Sequence, residues 1–119
     1  MKPGKMKVKN PYGIRNIAIT TMSIEEIAAE KVRALIVTRK PRQLYDVWFL
    51  LRKGLTPNKM LVNKKLRLYD QTFQLEKLRN AVRDTETDWK ADLQALLPAV
   101  PSFSNVERYV MDKFQHTFS

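Results

Sequence analysis

Lys31 and Asp46 are the residues of this sequence whose types and settings most invite chemistry. Ile24, Ile27, Ala28, Lys31 and Leu35 fall at i, i+3, i+4, i+7 and i+11, which makes one stripe of a helix. A lysine in the middle of an apolar stripe must snorkel to water, lose its proton or find an anion. Asp46 is the only acid in a stretch that is apolar nearly all round: Leu44, Tyr45, Val47, Trp48, Phe49, Leu50 and Leu51. A carboxylate placed there calls for a cation, a metal or several hydrogen-bond donors. Two readings are open from the residues alone. One is a phosphate-binding ammonium. The other is an ion pair between Lys31 and Asp46 that fixes how two helices meet.

The elements that must position them lie between Ser23 and Gly54. Ser23 and Glu26 have capping-box spacing, so a helix is expected to open there. Thr38, Arg39 and Lys40 end it, and Pro41 suits the first turn of a second helix, about Arg42 to Lys53. Folding back through this basic joint would bring Lys31 to Asp46. Arg33, Arg39, Lys40 and Arg42 surround the joint. Arg39 and Arg42 are candidates for a phosphate clamp beside Lys31, because a guanidinium matches phosphate geometry. For Arg33 and Lys40 a solvated turn is the better reading. Tyr45, Trp48 and Phe49 could stack on a base, but at helical spacing beside Leu and Val they read as core.

EEIAAEKVRAL followed by RKPRQLYDVWFLL closely resembles the nucleotidyltransferase AbiEii/AbiGii toxin family, a branch of the polymerase-beta-like nucleotidyltransferases. The likeness continues more loosely through WKADLQALLPAVPSFSNV, which looks like the family's C-terminal helical part. The resemblance implies a toxin or phage-abortive protein paired with an antitoxin. It implies a nucleoside triphosphate and Mg2+ as cofactors, and RNA, in particular tRNA ends, as the target. It makes Lys31 the lysine that holds triphosphate and Asp46 the second aspartate of an RDxxD element. Two departures stand out. Gln43 occupies the position of the first aspartate of that element. The family's catalytic core, a Gly-Ser turn followed by a DxD pair of metal-binding carboxylates, has no counterpart: no Gly-Ser pair occurs, and no acid precedes Glu25. Nucleotidyl transfer needs metal ions bridged by aligned carboxylates. The chain alone is therefore expected to be inactive, with no catalytic residue and no metal ligand set of its own. The chain then reads as a split, truncated or fragmentary form of such a protein, a second chain being one source of the catalytic half.

Composition bounds the alternatives. With 119 residues and 44% hydrophobic content the chain fits one domain with a real core. It has no cysteine and one histidine, which excludes disulfides, thiol chemistry and a histidine metal cluster. No apolar run approaches the roughly 20 residues that span a bilayer, and no signal peptide is evident, so a cytoplasmic protein is expected. The net charge of +10 is uneven. Residues 1–22 carry five bases and no acid, whereas residues 84–119 carry three bases and six acids. A basic first two-thirds suits a phosphate-bearing partner, nucleotide or RNA. A solvated surface, or a non-catalytic basic module binding nucleic acid or a partner protein, is the plainer alternative.

Along the rest of the chain, KMKVK and NIAITT alternate in the manner of strands around the turn Asn10-Pro11-Tyr12-Gly13. Residues 1–22 are therefore expected to form a basic β-hairpin segment, with an unstructured basic arm as the alternative, and residues 23–119 a helical domain. Thr56-Pro57 reads as a cap before a helix to about Asp70, and Thr72 as the cap of another through Arg83. DTETD, residues 84–88, is a charged joint rather than a calcium loop, which would need a glycine and a distal glutamate. Helix is expected again at Trp89 to Leu97, where Trp89 should pack, and from the Ser104/Glu107 capping-box spacing to about Gln115. His116 is given no role. The fold class is mainly α: a bundle of about five helices preceded by a short N-terminal β-hairpin.

Overall fold

Three alanines let neighbours come close to the first helix, and that helix is the hub of the fold. The computed structural model describes residues 23–118, in which it shows six helices and no strand. They are α1 (Ile24–Thr38), α2 (Pro41–Arg52), α3 (Lys59–Arg67), α4 (Leu75–Asp84), α5 (Trp89–Gln94) and α6 (Phe103–Phe118). The expected β-hairpin lies within residues 1–22, outside the described residues. α1 packs against α2, α3 and α4, α6 against α2 and α4, and α5 against α2. None of these helices is long and apolar enough to cross a membrane.

The core explains the hub. Ala28, Ala29, Val32, Ala34, Leu35 and Ile36 of α1 are all buried. Their arc is broad because α1 meets three partners. It is also rotated from the expected stripe: Val32 is fully buried where Lys31 was expected to be central, and Ile24 is 59% exposed. Lys31 thus lies at the margin of the buried arc. The partners contribute Leu44, Val47 and Leu51 from α2, Val62 and Leu66 from α3, Leu78, Ala81 and Val82 from α4, and Val106, Val110 and Phe114 from α6. Burying one such side chain contributes roughly 1.5–3 kcal/mol. Phe73, Phe114 and Phe118 meet with ring centroids 4.7–6.1 Å apart and tie the segment after α3 to the end of α6.

Helix ends show which local signals prevailed. Ser23 Oγ accepts the Glu26 amide at 3.1 Å, as its spacing predicts. Arg39 ends α1 in the left-handed region, φ 55°, with its amide donating to the Leu35 carbonyl. Gly54, φ 87°, follows α2, and the Leu55 amide reaches back to the Leu50 carbonyl, a Schellman closure. Three expected starts move. α3 is capped by Asn58, whose Oδ1 accepts the Met60 and Leu61 amides, and not by Thr56. α4 begins at Leu75, because the Phe73 amide donates instead to Asn63 Oδ1 at 2.6 Å. α6 begins two residues earlier than Ser104/Glu107 suggests: Ser102 Oγ accepts the Asn105 amide, and Glu107 turns to Arg83. Trp89 is buried, and its indole N–H donates to the Pro101 carbonyl at 2.8 Å, which pins the proline-bearing loop between α5 and α6.

Candidate functional site

The Pro41 joint reverses the chain, and α1 and α2 lie against one another. Lys31 Nζ consequently sits 2.8 Å from Asp46 Oδ2, with 18% and 22% of the two side chains exposed. The contact joins residues on separate helices and is set by the fold. Enough solvent reaches it for exchange with an outside ligand, and enough protein surrounds it to strengthen its electrostatics over those of a surface pair.

The other two candidates are not gathered into that contact. Arg39 leans on α4 through a pair of Arg39 Nη1 with Asp84 Oδ2 at 2.5 Å, and its Nε donates to the Ile36 carbonyl at 3.4 Å. Arg42 is exposed on the first turn of α2 and makes no polar contact among the described residues. The structure therefore joins Lys31 to Asp46, ties Arg39 to Asp84, and leaves Arg42 toward solvent.

Arg33 is neither a clamp nor a solvated turn residue. Its side chain is 15% exposed and bonds Glu30 one turn earlier, and its guanidinium lies 5.2 Å from the Tyr69 ring centroid. Lys65 of α3 approaches the same Glu30 at 3.6 Å. This second polar group on α1 escaped the sequence reading. The i, i+3 spacing of Glu30 and Arg33 was the available signal. Tyr45 and Trp48 are partly buried against the core, as expected, with ring centroids 5.5 Å apart. Their helix also shows solvent a series of cation–ring contacts: Arg52 lies 4.6 Å from the Trp48 centroid, and Lys53 lies 5.3 Å from that of Phe49.

Gln43, where the resembled element carries its first aspartate, holds its Oε1 buried without a hydrogen-bond partner. It stands one turn before Asp46, so the two share a side of α2. As donors for Mg2+ this side offers one carboxylate, already engaged by Lys31, and one amide oxygen. Such a set does not fit a site for bridging metal ions. Among the described residues no three His, Asp or Glu side chains converge as a metal site.

Compared with known proteins, residues 3–118 match the family model described as nucleotidyl transferase AbiEii toxin, Type IV TA system. No curated protein matches the chain, and no solved structure does.

Proposed function

The chain belongs to the nucleotidyl transferase AbiEii toxin family, and from that premise we propose that it serves as the helical, phosphate-binding part of a nucleotidyltransferase-like toxin. The observation that carries this reading is the 2.8 Å contact between Lys31 and Asp46, the two residues that the resemblance to the family singles out. Asp46 holds the ammonium in place, and a triphosphate or an RNA phosphate competes with the carboxylate for it. Arg42, exposed on the following helix, and Arg39, once released from Asp84, add guanidinium donors suited to phosphate oxygens. The carboxylates that carry Mg2+ in nucleotidyl transfer come from outside residues 1–119 in this reading, since the side of α2 bearing Asp46 has one, and these residues alone do not transfer nucleotides. The family's description names a toxin–antitoxin system, so a cognate antitoxin is its functional counterpart, and the cytoplasm is where its substrates would be met.

A second reading has its own observation. Because Asp46 already neutralises Lys31, the pair can be purely structural. The chain would then be a non-catalytic basic module for nucleic acid or a partner protein. Calorimetric titration of ATP, GTP, CTP and UTP with Mg2+ separates the two. The first reading expects binding of at least one nucleotide that Lys31→Ala weakens by tenfold or more, with helicity retained. Absence of nucleotide binding, or binding indifferent to Lys31→Ala, overturns it in favour of the second.

A further inference from the structure

α4 and α6 lie side by side and leave a groove of about 460 Å³ between them. Arg79 and Arg83 line it from α4, and Ser104, Arg108, Met111 and Gln115 are among its lining residues from α6. Three guanidinium groups therefore share one small space, next to a C-terminal third that is otherwise rich in acids. Two carboxylates, Glu107 and Asp112, line the same space, so the lining keeps one net positive charge. Arg79 and Arg108 make no hydrogen bond or ion pair among the described residues. Arg83 is 66% exposed and pairs through its Nε with Glu107 Oε2 at 3.4 Å. The other carboxylate on the wall, Asp112, faces His116 at 3.8 Å.

The lining indicates the class of ligand. Guanidinium forks bind phosphate oxygens two at a time, and the first turn of α6, which enters the groove at Ser104, adds the partial positive charge of a helix N-terminus. Met111 is the one hydrophobic side chain of the lining and is 6% exposed. An apolar anchor of the kind that centres a protein interface has nothing to fill. We propose that the α4–α6 groove is a second anion site, distinct from the Lys31 contact, and that Arg79, Arg83 and Arg108 hold phosphates of a nucleic-acid backbone there. It shares no residue with the Lys31 site and does not depend on nucleotide binding at that site.

The test is fluorescence anisotropy of a labelled oligouridylate against the full chain, over a series of salt concentrations, for the parent and Arg79→Ala/Arg108→Ala. Both side chains are exposed, and melting curves of parent and variant should coincide closely. The expected result is a loss of affinity of tenfold or more at moderate salt. The slope of log affinity against log salt should also fall by about 1.4, the value for two phosphates of a single strand. Arg79→Lys/Arg108→Lys should keep the slope and lose part of the affinity, because charge remains while the fork is gone. The same double Ala variant should bind nucleoside triphosphate as the parent does, whereas Lys31→Ala should weaken triphosphate binding and leave the part of the oligonucleotide affinity that depends on Arg79 and Arg108 in place, so the two sites fail independently. No RNA binding by the parent, or a slope unchanged in the double variant, overturns the proposal. Tighter, equally arginine-dependent binding of polyglutamate would reassign the groove to an acidic protein. Displacement of the oligonucleotide by low concentrations of pyrophosphate would reassign it to free phosphate compounds.

Discussion

Two ion pairs flank the α1–α2 joint, and they differ in what stands behind them. Lys31 and Asp46 meet with about one-fifth of each side chain exposed, on two helices whose packing is already set by the core. Arg39 and Asp84 meet with 39% and 53% exposed, at the ends of two helices, and Arg39 has the left-handed backbone that ends α1. The first pair is a contact that surrounding atoms hold in place. The second is a contact between more exposed helix ends, beside a backbone conformation that costs an ordinary residue about 1–2 kcal/mol. Sequence alone offers both lysine and arginine as basic residues near a joint. Burial separates them.

The comparison can be broken most directly at Asp46. Asp46→Ala leaves a half-buried ammonium without its carboxylate and is expected to lower unfolding free energy by about 2–3 kcal/mol, below the cost of breaking a fully buried pair. Urea denaturation would read this, and a loss under about 0.5 kcal/mol would place the pair with surface contacts. Replacing both partners sharpens the point. Lys31→Met/Asp46→Leu removes two charges from partly apolar surroundings and should recover to within about 1 kcal/mol of the parent, because a paired charge and a packed apolar side chain differ little in net stability. If the double variant is as unstable as Asp46→Ala, the pair contributes more than mutual neutralisation. The smallest expected effect has the opposite sign. Arg39→Gly deletes a salt bridge yet should stabilise by about 0.5–1 kcal/mol, since glycine adopts φ 55° without the side-chain penalty and an exposed pair contributes little. A fall in melting temperature for Arg39→Gly would show that the Asp84 contact outweighs the backbone strain.

Signals confined to a few residues were legible, and tertiary ones were not. The Ser23 cap, Pro41 at the start of α2 and Gly54 after it are local chemistry, and each sits where its sequence context indicates. Those three fix the helical hairpin, and the hairpin brings Lys31 to Asp46. The starts of α3, α4 and α6 misled because two caps competed within a few residues. Asn58 prevailed over Thr56, Asn63 took the amide of Phe73, and Glu107 bonded Arg83 rather than completing a capping box. The partner of Arg39 lies 45 residues away in a run read as a charged joint, and no periodicity connects the two. The rotation of the buried arc on α1 follows from contact with three helices at once, which a single-stripe reading does not anticipate. The α4–α6 groove was invisible for the same reason, as its arginines come from two helices read separately.

The hydrogen bond from the Trp89 indole to the Pro101 carbonyl has an optical consequence. Trp89 is buried and Trp48 is partly exposed with a guanidinium over its ring. They are the chain's only two tryptophans, so their emission divides into a blue component from the α5 loop and a redder, quenchable one from the outer side of α2. Undocking of the loop would shift the first, while a ligand arriving beside α2 would dim the second. The protein thus carries two intrinsic fluorescent reporters, one for the integrity of its C-terminal half and one for events on the Trp48 side of α2.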